Sequence, residues 1–455
     1  MKYLRTYLAI CSIGLWGAGG IVNSAVGDTT TDTVIAGSEE PRLATEEDVI
    51  ASLTPYANGI SEYQLIPKGT VINSDNVDQY LPYMDEALAD IISAGFYEIK
   101  VGETSSFRPH EKYIAATLAH LNKARLGDEQ GILEGYVAGR PFPQEPQLND
   151  PRAGERLAWN FRYAYGGDGS VLPVFLWKYK DMRREKLERT LEMESARLNF
   201  KHRLSEKTGP DLPRNPSQIY TALYLNVKAP QDIRNTQLLV HRLEDDRERD
   251  RTWMYMSTQR RVRRLGSGQT TDAFLGSDIM IEDFLGYNGR IMDMKWTYKG
   301  TVNTLLAYFN HDEMPLVQEK RHSDGFKYVG FTGKGKCFPD VTWQLRKAYV
   351  LEAEPLNKSH PLSKRVFYVD VQTHTMSLVK MYDRGGKLWK LGMAGFSHPD
   401  HHLPVNKGTG INIIDGASMI DIQNQHCTTL HFKSEYDPDV SPNKFSVQYM
   451  RTQSR

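Results

Sequence analysis

The feature that most constrains this chain is a succession of segments with period-two alternation, each closed by Gly, Asn or Asp turns. Alternation puts neighbouring side chains on opposite faces, so each such run reads as a strand with one buried face. Ile219, Thr221, Leu223, Leu225 and Val227 alternate with Tyr220, Ala222, Tyr224 and Asn226, and Ala229-Pro230-Gln231-Asp232 ends the run. Segments 238–243, 253–256, 292–298, 345–352, 366–371, 375–382, 387–393, 411–414 and 418–432 repeat the pattern. Asp383-Arg384-Gly385-Gly386 supplies the positive φ angles of a tight hairpin. Strand follows strand with no intervening helix, which predicts an antiparallel sheet by succession. Residues 178–203 admit two readings. Leu187, Leu191 and Leu198 among many Glu, Arg and Lys suit a surface helix, whereas Leu187, Leu191 and Met193 share a strand face.

The N-terminal third has a different texture. Thr45-Glu46-Glu47-Asp48 predicts a capped helix reaching about Leu53. Leu81, Met84, Ala87, Leu88 and Ile91 recur at helical spacing, Tyr113 to Leu126 gives a second helical stretch, and Pro141, Pro143, Pro146 and Pro151 mark a linker or irregular loop. The expected fold class is therefore α+β, mainly antiparallel β, with a helix-leaning segment at 28–150 and a β domain at 151–455.

Residues 1–27 run from Lys2 and Arg5 through the apolar Leu8 to Trp16 and end in the small Asn23-Ser24-Ala25-Val26-Gly27. That order predicts a secretory signal peptide, cleaved between Ser24 and Asp28, and a periplasmic protein. Lipidation at Cys11 does not fit, since the bulky Ile10 stands where a small residue is needed. Only Cys337 and Cys427 remain after cleavage, and an even pair in an oxidising compartment is expected to form a disulfide.

Charge narrows the partners. The 56 Lys+Arg balance 56 Asp+Glu, so nothing attracts a polyanion and nucleic acid is excluded as a partner. Hydrophobic residues at 40% and charged ones at 25% are those of a globular protein. No Gly-x-Ser-x-Gly elbow, His-Glu-x-x-His helix, Walker loop or dinucleotide fingerprint occurs, so no enzyme is expected. Gly266-Ser267-Gly268-Gln269 and Gly333-Lys334-Gly335-Lys336 read as turns between strands rather than phosphate cradles. His398, His401 and His402 with Asp400 have the donor types of a zinc or copper site. Pro399 and Pro404 make that stretch an exposed loop, and neither a metal nor a cofactor is expected; His426 reads as a strand residue.

Two groups are candidates for ligand contact. Arg260, Arg261, Arg263 and Arg264 read as a strand end neutralising acids such as Asp245, Asp246 and Glu248, or as a grip on an anionic head group or phosphate. Trp253 and Tyr255 fall on one strand face, as do Trp296 and Tyr298, with Phe367 on another strand. Such aromatics fill a core, or line the hollow of a curved sheet.

Several blocks carry a family resemblance. They are Lys228-Ala229-Pro230-Gln231-Asp232-Ile233-Arg234, the run from Trp253 through Leu265, Gly276-Ser277-Asp278 with Glu282-Asp283-Phe284, and Asp150-Pro151-Arg152-Ala153-Gly154-Glu155 continuing to Asn160. Together they resemble an exported Gram-negative family of unknown function, itself similar to outer-membrane lipoprotein-sorting proteins. The resemblance runs from about residue 60 to near the C-terminus. It implies a LolA/LolB-like half-barrel, a strongly bent antiparallel sheet lidded by short helices, whose concave face holds acyl chains. On that resemblance the expected role is a periplasmic carrier of a lipid or other hydrophobic molecule. Trp253, Tyr255, Trp296, Tyr298 and Phe367 are expected on the concave face, with the four arginines at its mouth. The alternative is an accessory cell-envelope protein that partners an inner-membrane transporter or the outer membrane.

Overall fold

The computed structural model describes residues 42–56, 65–205, 209–319 and 325–453, so the expected signal peptide lies outside the described residues. From Arg42 onward they belong to one compact unit. Five α-helices are described, besides short 3-10 turns: α1 (Glu46–Leu53), α2 (Glu86–Ser93), α3 (Glu111–Ala119), α4 (Ala153–Arg162) and α5 (Val447–Gln453). Thr45 caps α1 with a reciprocal Thr45–Asp48 capping box, as its sequence predicts.

Thirteen strands carry the main sheet. These are β1 (Gly169–Asp181), β2 (Lys186–Asn199), β3 (Ile219–Ala229), β4 (Gln237–Leu243), β5 (Arg251–Met256), β6 (Arg261–Arg264), β7 (Met294–Leu306), β8 (Thr342–Pro355), β9 (Leu362–Asp370), β10 (Met376–Asp383), β11 (Leu388–Ser397), β12 (Ile413–Asp421) and β13 (His426–Tyr436). They lie in the order β7-β8-β9-β10-β11-β12-β13-β1-β2-β3-β4-β5-β6, every neighbour antiparallel. Sheet neighbours are chain neighbours except at the β13–β1 seam, and the one pair of chain neighbours not paired in the sheet is β6 and β7. Short strands 71–72, 99–101 and 308–309 complete this 16-stranded open sheet.

Residues 186–199 are strand, which settles the helix-or-strand ambiguity. Propensity alone favours helix, but β1 and β3 offer a hydrogen-bonding edge on each side, and pairing with both outweighs a few tenths of a kcal/mol per residue. The proline-rich stretch after residue 140 is packed rather than free: Pro141 and Pro143 are buried, and the Asn160 side chain pairs with both backbone polar groups of Phe142.

The sheet is strongly bent. Leu225 of β3 and Met381 of β10 line one cavity although six strand spacings separate them, about 29 Å if the sheet were flat. Three apolar layers follow. The inner face of the bend carries the largest core, from Leu238 of β4 to Leu351 of β8. On the outer face, residues 66–107 cover β8 to β12, and α5 with Phe445 covers β2 to β5. Because β6 and β7 are opposite edges, the chain between them must cross the open side, and residues 265–293 lie over the inner face together with α4. Gly154 lets α4 approach closely: a Cβ there would come within 2.6 Å of the Trp296 carbonyl carbon.

Candidate functional site

The bend, the crossing segment and α4 enclose a cavity of about 330 Å³, at the lower end of the usual range for small-molecule sites. Phe175 and Trp177 of β1, Leu430 and Phe432 of β13, and Met381 and Val379 of β10 form apolar wall, and Ile279 and Phe284 of the crossing segment roof it. Phe175 stacks on Phe432 with centroids 4.8 Å apart, so this wall is set by paired rings rather than by loose side chains.

Polarity changes along the strands. The inner-face residues of β2 run Leu191, Met193, Ser195, Arg197, Asn199, and those of β3, read against it, Val227, Leu225, Leu223, Thr221; of these Ser195, Arg197, Asn199, Leu225, Leu223 and Thr221 line the cavity. Ser170 of β1 pairs in register with both Arg197 and Tyr436. One end of the cavity is therefore apolar and aromatic, and the other carries hydroxyls, amides and a guanidinium. Three arginines line the cavity. Arg162 is ion-paired with Asp246 (3.2 Å), and Arg242 is clamped by Asp250. Arg197 instead donates to Asn199 Oδ1 (2.7 Å) and to the carbonyls of Gly166 and Gly167.

Buried ion pairs hold the crossing segment down. Arg365 of β9, fully buried, donates to Glu282 (2.6 Å) and Asp283 (2.7 Å), and His360 adds a contact to Glu282 (3.0 Å). Burial opposes ionisation of Glu282, but Arg365 and His360 outweigh it and hold the carboxyl at about 2; burial pushes Asp283 up. A second anchor joins Asp278 to Thr428 (2.7 Å) and to His426 (2.9 Å), whose ring also reaches Glu188 of β2 (3.0 Å). The hydrogen bond that the His426 ring donates to Asp278, with Glu188, raises His426 to about 9. At the cavity rim, Leu285 is exposed with φ 57°, a conformation costing a side-chain residue on the order of 1 kcal/mol.

None of the nine expected contact residues is among the described cavity-lining residues. Trp253 and Tyr255 belong to the outer core under α5, and Trp253 packs edge-on against His241; their expected position on the concave face is corrected. On β5 it is Met254 that faces inward, because a strand turns alternate residues to opposite faces and the parity is set by its pairing with β4. Trp296, Tyr298 and Phe367 do face the inner core, but as packing: Trp296 stacks on Phe367 and donates its Nε1–H to Ile291 O (2.8 Å). Arg260, Arg261, Arg263 and Arg264 are exposed on the β5–β6 hairpin at the sheet edge, not at the cavity mouth.

The histidine cluster in the loop after β11 is dispersed. His398 caps Asp400, and His401 contacts Asp312 (2.9 Å). His402 turns inward toward Asp415, which also meets His311 (3.0 Å), a grouping that residues 91 and 104 positions apart gave no motif for. Asp415 is the extra residue of a β-bulge on β12, which aims its side chain out of the ladder. The Asn406 amide, fixed by Ser434 O and the Tyr436 N–H, donates to His402 Nδ1 and so places the ring proton on Nε2, facing Asp415. That proton suits a buried histidine–carboxylate cluster and does not suit a metal ligand.

Cys337 and Cys427 are bonded, with Cα atoms 5.9 Å apart. Among the described residues no helix is long and apolar enough to cross a membrane.

An open antiparallel sheet, wrapped on itself and lidded over an apolar hollow, defines the class of this molecule. The chain belongs to the DUF1329 family of proteins of unknown function, whose model matches residues 71–451. It is 26% identical over 353 residues to the uncharacterized protein PA3922 of Pseudomonas aeruginosa, covering 75% of this chain and 70% of that protein. A DUF1329 family protein from Desulfovibrio piger is similar in structure with a TM-score of 0.45 and 16% identity, over 66% of this chain and 98% of that one. A LolA superfamily protein from Nitrosomonas europaea gives a TM-score of 0.38 and 10% identity, over 64% and 94%.

Proposed function

We propose that the protein is a periplasmic binding or carrier protein for a lipid or another hydrophobic molecule, and that it acts without catalysis. The observation that carries this reading is the lidded cavity, whose walls from β1, β10 and β13 are aliphatic and aromatic. Each buried methylene contributes about 0.8 kcal/mol, so a chain of about 12 carbons gains on the order of 10 kcal/mol gross before ordering costs. Such a site holds its ligand by burial and releases it when the lid opens. The export signal read at residues 1–27 supports the compartment.

Displacement of a neutral naphthylamine probe by a long-chain fatty alcohol tests the reading. The wild-type protein is expected to bind the probe, and Leu223→Trp, which fills the cavity from a half-buried position on β3, to lose at least tenfold in affinity while keeping its circular dichroism. Absence of probe binding by the wild type, together with no lipid in organic extracts analysed by mass spectrometry, would overturn it.

A further inference from the structure

We infer that the cavity takes an amphiphile with an acidic head, a carboxylate or phosphate monoester on an acyl chain, and that Arg197 receives the head. This rests on the carrier reading above and names the class of its ligand.

Three observations converge on the polar end of the cavity. Arg162 and Arg242 are each neutralised by a carboxylate, whereas among the described residues no carboxylate lies within ion-pair distance of Arg197. Its hydrogen-bond partners are neutral oxygens, and the carboxylate it does act on, that of Asp437, interacts with it only from beyond ion-pair distance. Three hydrogen bonds occupy three of the five N–H groups of the guanidinium, leaving two for an incoming acceptor. The acids of this corner make their hydrogen bonds to backbone: Asp437 Oδ1 accepts the N–H groups of Asp168 (2.6 Å) and Gly169 (3.3 Å), and Asp168 accepts that of Leu204 (2.9 Å).

Two further lining groups can donate to an oxyanion, the Ser170 hydroxyl and the second amide N–H of Asn412, whose first goes to Thr375 Oγ1 (2.9 Å); the Thr221 hydroxyl already donates to Leu198 O (3.3 Å). Guanidinium bonds to ionised oxygens are about twice as strong as neutral ones, and they strengthen when water is excluded. A fatty acid or acyl phosphate lying with its tail along Leu223 and Leu225 and its head at Arg197 places each part where the lining matches it. The hydrogen bonds to Gly166 O and Gly167 O hold the guanidinium in place, because both glycines lie on the tight connection between α4 and β1. The head therefore meets a preorganised donor.

The test uses the mature full chain and three competitors of one chain length for the neutral probe: palmitate, hexadecyl phosphate and hexadecanol. The wild type is expected to prefer one or both acids over the alcohol by at least tenfold, the two acids distinguishing a carboxylate from a phosphate head. Arg197→Gln is expected to lose that preference with hexadecanol unchanged, and Arg197→Lys to keep most of it. If the Gln variant weakens hexadecanol as well, the Lys variant decides: a retained preference supports the inference, and a lost one overturns it. Equal wild-type binding of all three, or an unaltered preference in Arg197→Gln, overturns the acidic head and leaves the carrier reading standing. Binding of none of the three overturns the carrier reading itself.

Discussion

His426 and Glu282 give the lid a dependence on pH with opposite signs. His426 is raised to about 9, so the stability it contributes is fully present below its unfolded value near 6.5 and is lost as pH rises through 9. Glu282 is held at about 2; its contribution is present above its unfolded value near 4.3 and is lost as pH falls toward 2. Asp283, raised by burial, does not share that acid dependence. The melting temperature is expected to fall between pH 7 and 10 and again below pH 4. His426→Gln should flatten the alkaline limb alone, and Glu282→Gln should flatten the acid limb alone, both read by thermal denaturation across pH. An alkaline limb unchanged in His426→Gln would assign it to other groups.

At the scale of elements, the arginine run finds its explanation in the sheet edge. β6 pairs with β5 on one side only, and Arg261, Arg263 and Arg264 are exposed along it. An edge strand presents unpaired N–H and C=O groups to other chains, and charge on it discourages edge-to-edge association. Arg261→Thr combined with Arg263→Thr is expected to leave ligand binding unaltered and to raise self-association, measured by light scattering against concentration. Loss of ligand affinity in that variant would return the hairpin to the binding site. The same scale explains β2. Its Leu187, Leu191 and Met193 were legible as sharing a strand face, but only two flanking strands could decide against a helix.

The whole molecule is closed by a covalent link as well as by packing. Cys337 precedes β8 and Cys427 lies in β13, 90 positions further along the chain, so the bond ties the segment leading into β8 to the middle of the sheet. A loop of that length is worth about 4 to 5 kcal/mol in the chain-entropy account. Reduction, or Cys337→Ser with Cys427→Ser, is expected to lower the urea midpoint without changing the secondary structure. A midpoint unaffected by reductant, with two free thiols titrating beforehand, would show that the bond does not form.

What the sequence determined by itself is local and periodic. Alternation along Ile219–Val227 and its successors specified strands and their antiparallel succession, the Thr45–Asp48 pattern specified a capped helix, and the surviving cysteines specified a pair. The tertiary structure alone decided which face of each strand turns inward. A shift of one residue exchanges the two faces, and both faces of this sheet are apolar because a layer covers each, so pattern could not tell Trp253 and Tyr255 from Met254. It also decided the site. Arg197 draws its role from a bend that brings β3 and β10 to one hollow and from a crossing segment that roofs it, and neither the bend nor the crossing is a property of any one segment of chain.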